Sequence, residues 1–217
     1  MVQVLYIPRD GLFVWYGFSI MTRKIVYSAT LVALVAATAM TIASIVTPKW
    51  ISYTDVTKAG NAVYDNIGLH RRCMSTHPDG CVPFPDEAGC ETNSHFCSLW
   101  KTTGFLMSLA VVVDLATIVG FLVIVAGGKE KRETGWRVLC GMLGLIAALE
   151  FGAVAVAGYV FDHDNLFHVP GYALGASWYL CTGSGAVAAL CAVGLVISAV
   201  VLPPEGGYVF LRDTSGV

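Results

Sequence analysis

The sequence predicts a membrane protein with an all-α four-helix transmembrane bundle and a small extracellular antiparallel β-sheet cap. Three observations predict this fold. Of the 217 residues, 56% are hydrophobic and 13% are charged, which is about half the charged share of a soluble domain. Four apolar stretches are each long enough to cross a bilayer, which takes about 20 residues. A long polar segment with four cysteines separates the first two stretches.

The same composition excludes two other classes of protein. The formal net charge is −2, so the chain lacks the broad positive charge with which proteins bind nucleic acid. Its apolar content is also far too high for an intrinsically disordered chain.

The four predicted spans differ in their polar content. The first and the last contain no charged residue, whereas the second contains Asp114 and the third contains Glu150. All four are rich in small residues, which allow membrane helices to pack closely. The predicted spans are residues 25–46, 103–127, 138–159 and 176–202.

Basic residues near the span ends predict the orientation, because short cytoplasmic segments are enriched in Lys and Arg. The connection 128–137 holds Lys129, Lys131, Arg132 and Arg137, whereas the connection 160–175 holds no Lys or Arg. We therefore expect a multi-pass plasma-membrane protein with both termini in the cytoplasm. The expected cytoplasmic segments are 1–24, 128–137 and 203–217, and the expected extracellular segments are 47–102 and 160–175.

Residues 12–21 form an apolar and aromatic stretch that is too short to span. We interpret it as an extension upstream of a start at Met21. The alternative is a segment that lies in the membrane interface.

The long extracellular segment predicts a small disulfide-linked sheet. Aromatic and β-branched residues alternate with polar ones in residues 48–54 and 61–69, which is typical of strands. Residues 76–93 are rich in Pro, Gly, Asp and Glu and indicate turns. An even number of cysteines outside the cytoplasm indicates disulfides, although four cysteines allow three pairings. These cysteines are Cys73, Cys81, Cys90 and Cys97.

Several residues of this segment carry a family resemblance. Trp50, the run Gly68-Leu69-His70-Arg71-Arg72-Cys73 and then Cys81 resemble the first-loop signature of the claudin superfamily. That signature is a Trp, a Gly-Leu-Trp-x-x-Cys motif and a second Cys. The superfamily includes claudins, peripheral-myelin-protein relatives, calcium-channel γ subunits and lipoma-fusion-partner-like proteins. Here His70 replaces the motif's Trp, and Cys90 and Cys97 are additional, so the branch stays open.

The resemblance implies roles for these residues. Cys73 pairs with Cys81, which leaves Cys90 to pair with Cys97. The motif residues Trp50, Gly68 and Leu69 anchor the cap on the helix ends. The acidic residues of the cysteine-rich part line a paracellular pore with a mild cation preference, the alternative being a solvated acidic turn. These acidic residues are Asp86, Glu87 and Glu91.

Nothing in the sequence predicts catalysis. Asp162, His163, Asp164 and His168 lie close in sequence but lack the His-x-x-x-His or Cys-x-x-Cys spacing of metal sites. We expect no enzyme activity, no cofactor and no bound metal.

The two acids within the spans are predicted to face the bundle interior, because a charge in lipid is costly. We expect at least one of Asp114 and Glu150 to be protonated at neutral pH, bonded to the other acid or to nearby hydroxyls. The candidate hydroxyls are those of Ser108, Thr117 and Ser184.

The function expected from this organisation is assembly through contacts. The protein acts in cell–cell contact and forms or regulates a paracellular barrier or pore, by side-by-side and cell-to-cell assembly with its own copies or related tetraspans. The alternative is an auxiliary subunit that binds a channel or receptor in the same membrane. The ending with Ser215 and Val217 also fits a peptide that binds a PDZ-domain scaffold.

Overall fold

The structure is a computed structural model that describes residues 16–56, 62–76, 78, 80–127 and 129–201. Within these residues four helices are long and apolar enough to cross a membrane. The prediction of a multi-pass helical bundle is therefore confirmed. In chain order the elements are α1 (Tyr16–Val46), β1 (Ile51–Val56), β2 (Ala62–Ile67), β3 (Arg71–Met74), β4 (Cys81–Pro83), α2 (Glu87–Thr92), α3 (Ser94–Ala126), α4 (Lys129–His163), β5 (Tyr172–Leu174) and α5 (Ala176–Val201).

Three of the four long helices, α1, α3 and α4, extend beyond the predicted spans. Helix α3 begins at Ser94 instead of residue 103, because the Asn93 side chain accepts a hydrogen bond from the backbone N–H of Phe96 and so caps the helix. Helix α1 begins at Tyr16, so residues 16–21 form its first turns. Helix α5 begins at Ala176, as predicted.

The four long helices form a ring in which α1 packs against α3 and α5, and α4 packs against the same two helices. At the end away from the sheet, aromatic and aliphatic side chains fill the interior. Tyr27 of α1 meets Phe121 of α3 edge to face, with ring centroids 6.3 Å apart. Leu34, Leu143 and Ile146 are fully buried in the same cluster.

A five-stranded sheet caps one end of the bundle, which we call the sheet end. The strand order is β4-β3-β2-β1-β5, and every pair of neighbours is antiparallel. Strands β1 and β2 overlap the two predicted strands. Strand β5 comes from the connection between α4 and α5, where no strand was predicted.

The prediction of turns throughout residues 76–93 is wrong in two places. Residues 81–83 form β4, because Cys81 lies opposite Cys73 of β3 and is joined to it. Residues 87–92 form α2, whose N-terminus is capped by the side chain of Asp86. Both elements depend on a partner or a cap that turn-forming composition does not reveal.

Candidate interaction surface at the sheet end

Trp50 anchors the sheet to the bundle. Its ring is fully buried, and its Nε1–H donates to the backbone oxygen of Ser44, two residues before the end of α1, at 2.8 Å. Its backbone carbonyl accepts from the N–H of Gly175 at 2.8 Å. The residue therefore joins the end of α1, the sheet and the start of α5, which is the anchoring position that the family resemblance implied.

A second tryptophan, which the sequence analysis missed, completes the anchor. Trp100 of α3 is fully buried, and its Nε1–H donates to the backbone oxygen of Gly68 at 3.2 Å. A Cβ on Gly68 would lie 2.6 Å from Cα of Pro48, so this close backbone contact requires glycine. Phe96, one helical turn before Trp100, stacks on it with centroids 5.7 Å apart. That aromatic spacing at the start of a span was the signal available in the sequence.

His70 does not occupy a buried anchor position. Its side chain is exposed and lies in a cleft of about 280 Å³ between the end of α1 and the turn from β2 to β3. Leu69 beside it is buried.

Both expected disulfides are present. Cys73 is joined to Cys81, which ties β3 to β4. Cys90 is joined to Cys97, which ties α2 to the first turn of α3. Three further cysteines of the described chain carry free thiols and lie inside the helices, as expected; they are Cys140, Cys181 and Cys191.

An ion pair and a tyrosine hold three strands together. Arg72 of β3 donates to both carboxylate oxygens of Asp65 of β2, at 2.9 and 2.6 Å. The hydroxyl of Tyr172 of β5 donates to the same carboxylate at 2.8 Å. The hydrogen bond to Asp65 raises the pKa of Arg72. Burial, and then the bond to Asp65, raise the pKa of Tyr172.

The junction between α2 and α3 is also bonded to the segment after α4. Asn93 accepts from the N–H of Phe96 and donates through Nδ2 to Asp164 Oδ2 at 2.9 Å. The other oxygen of Asp164 accepts from the N–H of Leu166. The two segments that connect the long helices at the sheet end are thereby fixed to each other.

These contacts border a cleft of about 340 Å³, which we call the acidic cleft. Phe84, Pro85, Phe96 and Leu166 supply its apolar lining. Its polar lining consists of Arg72, Asp86, Thr92, Asn93 and Asp164. Since Arg72 is already paired with Asp65, the acids give the cleft its charge.

The three acids singled out in the sequence lie on or next to α2. Asp86 lines the acidic cleft and caps α2 through the backbone N–H of Gly89. Glu87 lines a neighbouring cleft with Asp86 and Arg72. Glu91 is exposed on the same helix.

The two intramembrane acids are both fully buried in the bundle interior, as expected. Glu150 bonds to Ser184, one of the expected hydroxyls, and to Thr41, which the sequence analysis missed. Ser108 and Thr117 instead donate to backbone oxygens of their own helix. The C-terminal residues Ser215 and Val217 lie outside the described residues, so PDZ binding stays a prediction.

Comparison with known proteins corrects the family. A search of curated proteins finds no match to this chain. The family model described as lipoma HMGIC fusion partner-like protein matches residues 27–204, which include the sheet and all of the four spans except Ile25 and Val26, and no claudin model matches. The identification with claudins was therefore wrong, and the pore-lining role that it implied for Asp86, Glu87 and Glu91 loses its basis. The chain belongs to the lipoma HMGIC fusion partner-like family, a tetraspan family distinct from the claudins.

Proposed function

We propose that this chain is a non-catalytic membrane protein that binds a protein partner in its own membrane through the acidic cleft. The position of the cleft carries the proposal. It is lined by Asn93 and Phe96 at the start of α3, and by Asp164 and Leu166 just beyond the end of α4. It therefore lies where the bundle meets the sheet. A partner in the same membrane can reach this level with the segment that directly follows or precedes its own transmembrane helix.

The lining of the cleft defines the chemistry of that segment. Phe84 and Phe96 offer aromatic surface, and Asp86 and Asp164 offer negative charge beside it. A segment with an apolar side chain next to a Lys or Arg complements both. Its volume of about 340 Å³ lies within the range of clefts that bind ligands.

The proposed location is the plasma membrane, with both termini in the cytoplasm and the sheet end outside. The basic residues of the connection between α3 and α4 support this orientation. The two disulfides at the sheet end support it independently, because disulfides persist in oxidising compartments.

Site-specific photo-crosslinking tests the proposal. A photoreactive amino acid at Leu166, which is 41% exposed beside the cleft, is expected to capture a membrane protein in sparse cells that do not touch. The same amino acid at Tyr64, which is 42% exposed on β2, serves as the control. Equal capture from both positions would contradict a partner site at the cleft.

Charge variants test whether the negative charge at the cleft contributes to binding of the partner. Asp86→Asn combined with Glu87→Gln removes two charges, while Asn still caps a helix well. We expect this pair to reduce capture at Leu166 several-fold, because the partner's basic residue loses its counter-charge. Glu91→Gln, on the same helix, is the matched control and should leave capture unchanged.

The second candidate function is cell–cell contact, with a barrier or pore formed by side-by-side and cell-to-cell assembly. The crosslinks of the sheet end favour it, since a surface fixed by two disulfides and the Asp65–Arg72 pair loses little conformational entropy on binding. Mixed cultures of expressing and non-expressing cells separate the two functions. Enrichment at borders between two expressing cells supports cell–cell contact, and a uniform distribution supports the partner in the same membrane.

A further inference from the structure

Two acidic side chains lie deep inside the bundle. Asp114 of α3 and Glu150 of α4 are both fully buried. Each lies at least 12 residues from either end of its helix, or at least about 18 Å along the axis at 1.5 Å per residue. Water is therefore a poor source of hydrogen bonds for either carboxyl group.

Only one of the four carboxyl oxygens is bonded within the described residues. Glu150 Oε1 accepts from the hydroxyls of Thr41 and Ser184, at 2.5 and 3.1 Å. Glu150 Oε2 and both oxygens of Asp114 have no hydrogen-bond partner there. Since a buried polar group without a hydrogen bond destabilises the folded protein, a bound species that these oxygens contact would stabilise it.

Further oxygen atoms lie around Glu150. The hydroxyls of Thr41 and Ser184 lie 2.7 Å apart, and Ser184 also contacts the backbone oxygen of Ala37 at 2.9 Å. Gly185 of α5 faces Glu150, and a Cβ there would lie 3.3 Å from Oε2. Glycine at this position thus lets α5 approach the free oxygen closely.

The neighbouring groups supply no positive charge. Thr41 on α1 and Ser184 and Cys181 on α5 face Glu150. Asp114 on α3 is near enough to Glu150 for an electrostatic interaction. The sequence places no Lys, Arg or His in any of the four predicted spans. Because an uncompensated charge inside a bilayer is costly, the compensating charge has to come from outside the chain.

We propose that Asp114 and Glu150 bind one small exchangeable monovalent cation, a proton or a sodium ion, between α3, α4 and the hydroxyls of Thr41 and Ser184. Carboxylate, hydroxyl and backbone oxygens suit both ions, because hard cations prefer oxygen ligands. The site lies within the bundle, since Asp114 is 20 residues after the start of α3 and Glu150 is 13 residues before the end of α4.

The experiment uses the full-length protein in lipid nanodiscs. The melting temperature is measured while sodium replaces choline at constant ionic strength, and separately from about pH 5 to about pH 8. Infrared spectra of the same samples report the C=O stretch of protonated carboxyl groups. Asp114→Asn and Glu150→Gln remove the charges while keeping the side-chain shapes, and Asp162→Asn, at an exposed position near the end of α4, is the control.

If the site binds sodium, the melting temperature near saturation should rise by about 3–5 °C for each tenfold increase in sodium concentration. This rise is expected in the wild type and in Asp162→Asn, but not in Asp114→Asn or Glu150→Gln. A proton site predicts a protonated-carboxyl band that is lost from Asp114→Asn or Glu150→Gln, with no effect of sodium. The proposal is overturned if the wild type and both charge-removing variants respond alike to sodium and pH and share the same infrared bands. Asp114→Asn and Glu150→Gln are independent variants, so the failure of one to fold leaves the other as the test.

Discussion

Single residues at the sheet end work by bonding across long distances in the sequence. The Tyr172 hydroxyl reaches Asp65, 107 positions away, and the Ser177 hydroxyl reaches the backbone oxygen of Thr47, 130 positions away. The indole N–H groups of Trp50 and Trp100 each donate a hydrogen bond to a backbone oxygen. These bonds join the two segments outside the bundle and hold them on the helix ends.

Trp50→Ala is expected to destabilise the sheet end by about 3–5 kcal/mol, the usual cost of removing a large buried aromatic side chain. The change also leaves the backbone oxygen of Ser44 without its donor. Surface delivery and the melting temperature of the purified protein should both fall. Trp50→Phe keeps an aromatic ring but loses the indole N–H, so its surface delivery and melting temperature should lie between those of the wild type and Trp50→Ala. Normal surface delivery of Trp50→Ala would argue against an anchoring role.

Tyr172→Phe tests the bond to Asp65 through pH. Because burial and this bond raise the pKa of Tyr172 above its ordinary value of about 10, the folded protein holds that proton more tightly than the unfolded chain. The resulting stability is fully present below about pH 10 and is lost as pH rises through the folded-state pKa. We expect melting temperatures at alkaline pH to fall more steeply for the wild type than for Tyr172→Phe.

Tyr64→Phe, at an exposed position on β2, is the control for that comparison and should follow the wild type. At neutral pH, Tyr172→Phe should itself be less stable by about 1.5–3 kcal/mol, the usual contribution of a hydrogen bond to a charged group. Identical alkaline profiles for Tyr172→Phe and the wild type would show that the bond does not form.

At the scale of elements, the disulfides tie short pieces of structure that could not persist alone. Strand β4 has three residues and α2 has six, well below the length of an independently stable helix or hairpin. Cys73–Cys81 fixes β4 to β3, and Cys90–Cys97 fixes α2 to α3. The acidic cleft lies beside both crosslinks: Arg72 precedes Cys73, and Asn93 and Phe96 lie between Cys90 and Cys97.

Replacing Cys73 and Cys81 together by Ala is expected to lower the unfolding free energy by about 2–3 kcal/mol, from the chain entropy that the closed loop removes. Melting temperatures under non-reducing conditions measure the effect. Cys140→Ala, which removes a free thiol within α4, is the control. A double variant as stable as this control would show that β4 holds its place without the crosslink.

The sequence predicted the elements that can be recognised from their own residues. It missed the elements that form only because of partners distant in the sequence. The four spans follow from length and apolarity, and strands β1 and β2 follow from alternation. Strand β3 begins with Arg71 and Arg72, and β4 ends in Pro83, so neither resembles a strand alone. The acidic cleft could not be predicted, because Arg72, Asp86 and Asp164 come from separate segments that only the folded chain brings together.

At the scale of the whole molecule, the proposed orientation makes a direct prediction. An epitope tag at either terminus should be detected only after the plasma membrane is permeabilised. A tag inserted between Val56 and Ala62 should be detected on intact cells, because it lies in the segment that joins β1 to β2. Detection of a terminal tag on intact cells would reverse the orientation, and the cleft would then face a cytoplasmic partner.

The order of the strands also constrains how the protein is made. Edge strand β5 follows α4, yet it pairs with β1, which precedes three of the four spanning helices. At about 5–20 residues per second, roughly 5–20 s pass between synthesis of Asp65 and of its partner Tyr172, 107 residues later. During this interval the backbone groups on one side of β1 lack their strand partner, and chaperones can recognise such an unpaired edge. The sheet can therefore be completed only after the third span has crossed the membrane. In a chain whose third span fails to insert, the edge of β1 stays unpaired, and chaperones can recognise and retain that chain.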